Sequence, residues 1–217
     1  MTSHLALVLL LAAADPAPVP VERAADHPTY FQNEWVQAFR VSLPAGKTTL
    51  LHTHAHDDVA VRLSEASVVS ETPGKPAAAA EHARPGIVSA RNNDEQPLTH
   101  RVKNVGATTF DVIDVQILKR PPGDATAALV PPAAENPRMR AYRWELAPGA
   151  TSATHTHTRP YLIIAATDLS LRMTAPDGRV MVHPVKAGDV HWVEAPVTHA
   201  LANDGTGTGV LVEVELK

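Results

Sequence analysis

The chain repeats itself, and this repetition limits the folds that it can adopt. Residues 97–106 read PLTHRVKNVG and residues 196–205 read PVTHALANDG, so both fit the frame P-x-T-H-x-x-x-N-x-G. An earlier stretch is also written twice, as FRVSLPAGKTTLLHTH at 39–54 and YRWELAPGATSATHTH at 142–157. An internal duplication of about 80–90 residues predicts two similar small domains, each of a size typical of compact β folds.

Apolar residues alternate with polar ones in several short stretches, which indicates strands rather than helices. Asp177-Gly178 separates two such stretches and is typical of a hairpin turn. No long amphipathic helical pattern is found, so we predict an all-β fold with many short strands. The clearest single-face sets are Val210, Val212, Val214 and Leu216, then Leu169, Leu171 and Met173, and then Tyr142, Trp144 and Leu146.

Composition divides the chain into segments. We predict an N-terminal domain over 28–118, a linker over 119–137 that is rich in proline and alanine, and a C-terminal domain over 138–217. Residues 1–20 contain the apolar run 5–14 and a proline-rich start, which together indicate a signal peptide. The run also fits an apolar element of the fold, and it is too short for a transmembrane span.

Charge and cysteine content exclude several classes of function. The net charge is −4 without a basic block, which argues against a nucleic-acid partner. There are no cysteines, so thiolate catalysis, disulfides and iron–sulfur clusters are excluded. We expect a periplasmic or secreted protein, or otherwise a cytoplasmic one, whose partner is a small molecule. A monomer and a homodimer fit the sequence equally well.

Histidines concentrate at the repeated stretches. His52 and His54 are two residues apart and therefore project from the same face of a strand. Imidazoles placed in this way converge on one metal ion, and His100 in the later frame is expected to add a third. Asp58 lies an even number of positions after His54 and is expected either to complete the ligand set or to act as a base. Such a set suits Fe, Mn, Ni or Zn.

The second copy repeats the three histidines but not the carboxylate. His155, His157 and His199 stand at the matching positions, whereas Tyr161 replaces the acidic residue. Neutral tyrosine is a poor ligand, so this site is expected to be a three-histidine metal site or to hold no metal.

These residues resemble the cupin superfamily, specifically a two-domain bicupin. Its first motif, G-x5-H-x-H-x3-E, matches Gly46, His52, His54 and Asp58, with aspartate in place of glutamate. Its second motif matches His100 and Asn104, although Pro97 occupies the place of a glycine. The resemblance implies two tandem jelly-roll β-barrels, each with histidines inside its mouth.

Four more residues recur between the copies. Arg40 and Arg143 are expected either to bind an anionic substrate or to form structural ion pairs. Glu95 and Glu194 are expected to orient a ligand histidine, to transfer protons, or to lie solvated in a loop.

The reaction is left open by the sequence. A metal-dependent enzyme acting on a small organic molecule is the leading hypothesis, and the resemblance implies dioxygenase, decarboxylase or isomerase chemistry. A non-catalytic periplasmic protein that binds a small molecule or a metal is the alternative. A third hypothesis is a structural protein whose two sites are relics.

Overall fold

The computed structural model describes residues 16–123 and 127–217, and nearly all of its regular elements are β-strands. The apolar run predicted as a signal peptide lies outside the described residues. The strands of the first unit are β1 (Val19–Pro20), β2 (Thr29–Gln32), β3 (Val36–Leu43), β4 (His52–His54), β5 (Asp58–Arg62), β6 (Ala66–Glu71), β7 (Glu81–Ala83), β8 (Val88–Arg91), β9 (Leu98–Asn104) and β10 (Phe110–Ile117).

The second unit repeats this plan, and its described residues include no counterpart of β1. Its strands are β11 (Ala134–Glu135), β12 (Met139–Leu146), β13 (His155–His157), β14 (Tyr161–Ala165), β15 (Leu169–Thr174), β16 (Val180–Val185), β17 (Val190–Val193), β18 (Val197–Asn203) and β19 (Gly209–Leu216). The hairpin predicted at Asp177-Gly178 is confirmed, because β15 and β16 pair antiparallel on either side of it and Gly178 has φ +82°.

Each unit consists of two facing sheets, as in a jelly roll. In the first unit the sheets have the strand orders β1-β4-β9-β6-β7 and β2-β3-β10-β5-β8. In the second they are β13-β18-β15-β16 and β11-β12-β19-β14-β17. The predicted all-β fold with two tandem jelly-roll units is therefore confirmed.

The two units pack against each other through an apolar layer. Alternate residues of β10 (Ile113, Val115 and Ile117) and of β19 (Val210, Val212, Val214 and Leu216) belong to one buried cluster to which both units contribute. Burying each such side chain contributes about 1.5–3 kcal/mol. Because side chains alternate along a strand, the intervening residues of β10 and β19 point into the interior of their own unit. The polar residues among them are Asp114, Gln116, Glu213 and Glu215.

The repeated frame has a structural part that is separate from its histidine. The Asn104 side chain donates to the carbonyl oxygens of Leu43 (2.8 Å) and Thr108 (2.7 Å) and accepts from the Gly106 amide (3.0 Å). A Cβ at Gly106 would lie 2.8 Å from the Ser67 amide nitrogen, so only glycine fits there. Asn203 makes the matching bonds in the second unit. The Asn-x-Gly element thus closes the turn after the histidine-bearing strand.

No helix among residues 16–123 and 127–217 is long and apolar enough to cross a membrane.

Candidate metal centres and cavity

Strand pairing brings the predicted histidines together in both units. In the first unit β4 pairs antiparallel with β9, so His52 lies directly opposite His100. The ring centroids of His52, His54 and His100 are 4.7–5.3 Å apart. In the second unit β13 pairs with β18, and the three rings there are 4.5–5.4 Å apart.

The frame's threonine supports this pairing. Thr53, between the first two histidines, lies 2.8 Å from Thr99, hydroxyl to hydroxyl. Thr156 and Thr198 form the same pair at 2.9 Å. Cross-strand hydrogen bonds of this kind help to fix the register of two strands. The register in turn places the histidines opposite each other on the inner face.

In the first cluster the outer ring nitrogens of His52 and His100 have hydrogen-bond partners. His52 Nδ1 lies 2.8 Å from the Leu50 carbonyl oxygen, and His100 Nδ1 lies 2.8 Å from Ser70 Oγ. His52 Nε2 and His54 Nε2 are 3.1 Å apart. His100 Nε2 is buried without a hydrogen-bond partner. Nitrogens that share one tetrahedral ion with bonds of about 2.0–2.1 Å are about 3.4 Å apart, and the separation of 3.1 Å between His52 and His54 is close to this value.

Burial keeps two of these rings neutral. It lowers the pKa of His52 to about 3, with a contribution from neighbouring His27. Burial likewise lowers the pKa of His100 to about 2, and Arg91 contributes. A histidine must be neutral to bind a metal, so both rings are available as ligands at neutral pH.

Asp58 lies on the outer side of the cluster. Its Oδ2 is 3.1 Å from His54 Nδ1 and accepts a hydrogen bond of 2.9 Å from Asn93 Nδ2. Arg91 NH1 is 3.5 Å from the same oxygen. The carboxylate therefore lies against Nδ1 of His54, whereas Nε2 is on the other side of the ring. From this position Asp58 orients the ring. Metal ligation by Asp58 stays a prediction.

Asp114 is a second carboxylate at His54, and sequence analysis did not identify it. Its Oδ2 lies 3.6 Å from His54 Nδ1. Burial raises the pKa of Asp114, and the nearby Asp58 adds to this. Burial alone would lower the pKa of His54, but the charges of Asp114 and Asp58 outweigh it and raise that pKa.

The second cluster contains a carboxylate at its centre. Glu213 Oε2 lies 3.4 Å from His155 Nε2 and 3.3 Å from His157 Nε2, and Oε1 lies 3.2 Å from His199 Nε2. Trp144 Nε1 donates to Oε2 at 2.7 Å. Ligand atoms of the three histidines and Glu213 lie within 4.8 Å of one another. Three imidazoles and one carboxylate are a donor set that Fe(II), Mn(II), Ni(II) or Zn(II) accepts.

His157 is held between two glutamates. Its Nδ1 lies 2.7 Å from Glu215 Oε2, on the side opposite to Glu213. Burial alone would lower the pKa of His157, but the two carboxylates raise it to about 9. Burial also opposes ionisation of Glu213, yet its close contacts with the three histidines hold its pKa well below the usual range.

Tyr161 is a stacking partner of the second cluster. Its ring stacks on His157 with centroids 3.8 Å apart and an interplanar angle of 17°. Burial raises the pKa of Tyr161, and the glutamates add to the effect. The hydroxyl therefore stays protonated, in keeping with the expectation that tyrosine does not replace the missing ligand.

Sequence analysis missed Glu213, although a signal was present. The last strand reads VLVEVEL, in which carboxylates alternate with an unbroken apolar face. Glu213 matches Asp114 in the duplicated end of the first copy. An acidic residue facing inward on a strand buried on both sides needs a cationic partner or a metal, and this pattern would have indicated the site.

A small cavity opens onto the first cluster. Its volume is about 130 Å³, close to the roughly 150 Å³ of an engineered cavity that binds benzene. His54, His100 and Asp114 line one side, and Arg62 and Arg91 contribute guanidinium groups. Arg62 is fixed by Glu81 (2.9 Å) and Ser89 (2.6 Å). The remaining wall is mostly apolar and includes Val41, Ala60, Val68, Val102, Phe110 and Val112.

The recurring arginines and glutamates lie away from these clusters. Arg40 packs over the ring of Tyr30 at 5.7 Å, and Arg143 pairs with Glu145 at 2.9 Å. A substrate-binding role for either arginine stays a prediction.

The two recurring glutamates have partners of their own in exposed positions. Glu95 accepts a hydrogen bond from Asn92 Nδ2 at 2.8 Å, and Glu194 accepts one from Trp192 Nε1 at 2.6 Å. The carboxylates in contact with histidines of the two clusters are those of Asp58, Asp114, Glu213 and Glu215. An orienting or proton-transfer role for Glu95 and Glu194 stays a prediction.

Two jelly-roll units, each with a histidine triad on its inner face, define a two-domain cupin, and the chain belongs to the cupin superfamily. The beta-alanine degradation protein BauB of Pseudomonas aeruginosa is 31% identical over 83 residues, which are 38% of this chain and 86% of that protein. No protein-family model matches the chain.

Solved structures share the fold at low identity. A cupin 2 conserved barrel domain protein from Leptotrichia buccalis has a TM-score of 0.50 at 12% identity, covering 96% of this chain and 93% of that one. Oxalate decarboxylase from Bacillus subtilis, described with Mn(II) centres, has a TM-score of 0.54 at 14% identity, covering 84% of this chain and 69% of its own.

Proposed function

We propose that the protein is a metal-dependent bicupin whose first unit binds and transforms a small organic molecule. His52, His54 and His100 would hold a divalent transition ion beside the cavity. The three histidines and Glu213 of the second unit would hold a further ion. A metal bound in the first unit supplies Lewis-acid activation of an oxygen-containing ligand.

One observation carries this proposal, namely the state of His100. The ring is 2% exposed, and its Nδ1 is bonded to Ser70. Its Nε2 has no hydrogen-bond partner, and the residue lines the cavity. A buried polar nitrogen without a partner destabilises a fold by about 1–3 kcal/mol, so a ligand at this nitrogen would remove that penalty.

The chain's own residues prepare the cavity for a small ligand. Asp114 lines it, and a buried carboxyl with a raised pKa is suited to exchange a proton with the ligand. Arg62 and Arg91 offer positive charge to an anionic group of the ligand. Asp58 holds the His54 ring and acts as a positioning group in this scheme. The apolar wall limits water around the bound molecule.

Non-catalytic binding is a second candidate function, and the second unit favours it. Glu213 already contacts all three histidines of that unit, and Trp144 stacks on His155 with centroids 4.9 Å apart. A site so enclosed by protein groups suits a structural ion better than turnover. Export from the cytoplasm and the oligomeric state stay predictions.

Elemental analysis of untagged protein tests the metal proposal. We expect one to two equivalents of a transition ion, with chelator-treated protein recovering them from Fe(II), Mn(II), Ni(II) or Zn(II). Protein that takes up none of these ions would refute it. Oxygen consumption and product analysis with small keto acids, catechols and flavonols then separate the candidates, because a binding protein saturates with ligand without turnover.

A further inference from the structure

A fourth histidine enters the first cluster from outside the repeated motifs. His27 lies between the short 3-10 helix Val21–Arg23 and β2, and it is 6% exposed. Its ring centroid is 4.2 Å from that of His52 and 6.2 Å from that of His54. Ligand nitrogens of these three residues lie within 4.8 Å of one another.

Asp26 fixes the orientation of this histidine. Asp26 Oδ1 lies 2.8 Å from His27 Nδ1. The other oxygen, Oδ2, accepts a hydrogen bond of 2.5 Å from the Leu50 amide, just before β4. A carboxylate on the outer nitrogen is the arrangement that orients ligand histidines in metal sites. Asp26 thereby connects the N-terminal segment to β4, the strand that bears His52.

All four rings of the first cluster follow one pattern. Each has Nδ1 facing a fixed oxygen, which leaves Nε2 as the nitrogen for the interior. The oxygens belong to Asp26 for His27, to Leu50 for His52, to Asp58 for His54 and to Ser70 for His100. Among these, His100 Nε2 is buried and has no hydrogen-bond partner.

The second unit supplies a fourth donor group to its histidine triad in a different way. There Glu213 reaches the Nε2 side of the triad, whereas in the first unit Asp58 and Asp114 lie at Nδ1 of His54. From this difference, and resting on the proposed metal binding of the first unit, we infer that His27 is the fourth nitrogen ligand of the first ion. The first centre is then a four-imidazole site and the second a three-imidazole, one-carboxylate site.

The donor sets lead to different metal preferences. Imidazole suits Cu(II), Ni(II) and Zn(II), whereas a carboxylate favours harder ions such as Mn(II). The first unit is therefore expected to bind Cu(II) with four nitrogens, and Cu(II) serves as a probe because its electron paramagnetic resonance spectrum reports the number of coordinated nitrogens.

The experiment uses the full chain with the second centre silenced by His155→Ala and Glu213→Gln. We expect one Cu(II) with a four-nitrogen spectrum in this parent. Adding His27→Ala should give a three-nitrogen spectrum and an affinity at least about 10-fold weaker. His82→Ala, at an exposed histidine of β7, is the control and should change neither. His27→Gln preserves more of the side-chain volume if the alanine variant fails to fold.

Two results would overturn the inference in distinguishable ways. An unchanged nitrogen count and affinity in both His27 variants would leave the metal centre standing and remove His27 from it. A parent that binds no Cu(II) at its histidines would refute the proposed metal centre of the first unit, and the role of His27 with it.

Discussion

Asp114 and Glu213 occupy equivalent places in the two units, yet they meet opposite sides of the equivalent histidines, His54 and His157. Asp114 pairs with Phe39 and Ala60 of the flanking strands, and Glu213 pairs with their counterparts Tyr142 and Ile163. Asp114 lies 3.6 Å from Nδ1 of His54, whereas Glu213 lies 3.3 Å from Nε2 of His157. One duplicated scaffold thus holds two different donor sets.

Glu213→Gln should weaken metal binding by the second unit more than about 100-fold, because it removes an anionic ligand. Glu215→Gln is the matched control, since Glu215 contacts only the outer nitrogen of His157 within this cluster. It should weaken binding by about 10–100-fold, as loss of an orienting partner does. Chelator competition with Mn(II) measures both values. Equal effects of the two variants would contradict the assignment of Glu213 as a ligand.

His54→Ala should empty the first centre while the β fold survives. Its ring faces the other histidines on one side and Asp58 on the other, so its loss removes a ligand and frees a carboxylate. His56→Ala, at a side chain that is 42% exposed, should leave metal content unchanged. Elemental analysis and circular dichroism check this. Retained metal in the His54 variant would refute the ligand set.

Metal-free protein should lose stability as the pH rises from about 6.5 to 9. The pKa of His157 is about 9 in the folded chain and about 6.5 when unfolded. Its contribution is therefore complete below pH 6.5 and disappears above pH 9. Melting temperatures of chelator-treated protein across this range measure the effect. Glu215→Gln should flatten the slope, and a wild-type curve without any slope would show that His157 lacks this shift.

Acidification should destabilise the metal-free protein, because the pKa values of two other histidines are lowered by folding rather than raised. The pKa values of His52 and His100 are lowered to about 3 and 2 in the folded chain. Their unfolded forms take up protons below about pH 6.5, so stability falls from there towards pH 3. Urea unfolding at pH 7 and pH 5 tests this. The free energy of unfolding should change less between the two pH values in His100→Gln than in the wild type. Bound metal should also leave in this range.

Asn104→Ala should lower the free energy of unfolding by about 3 kcal/mol, because it leaves two carbonyl oxygens and one amide without their partner in a buried turn. Asp204→Ala, at an exposed ion pair with Arg172, should change it by less than about 1 kcal/mol. Urea unfolding compares the two variants. A near-wild-type value for the Asn104 variant would show that the turn has other support.

Some of the site was predictable from local spacing. The interval between His52 and His54 places both on one strand face, and the repeated frame supplies His100 on the strand that pairs with theirs. His27 and Glu213 escaped prediction for different reasons. His27 lies in an irregular segment that has no counterpart histidine in the second copy, and Glu213 faces inward from a strand that was interpreted only by its apolar face.

The sequence by itself determined the duplication, the all-β fold and the six motif histidines, because period-two alternation and fixed spacing act within single strands. Only the tertiary structure decided which side of each imidazole meets a carboxylate. That choice depends on how far a side chain from β10 or β19 reaches across the interior, and on a segment ahead of β2 that brings His27 against His52. These distances arise when the two sheets of each unit close over each other.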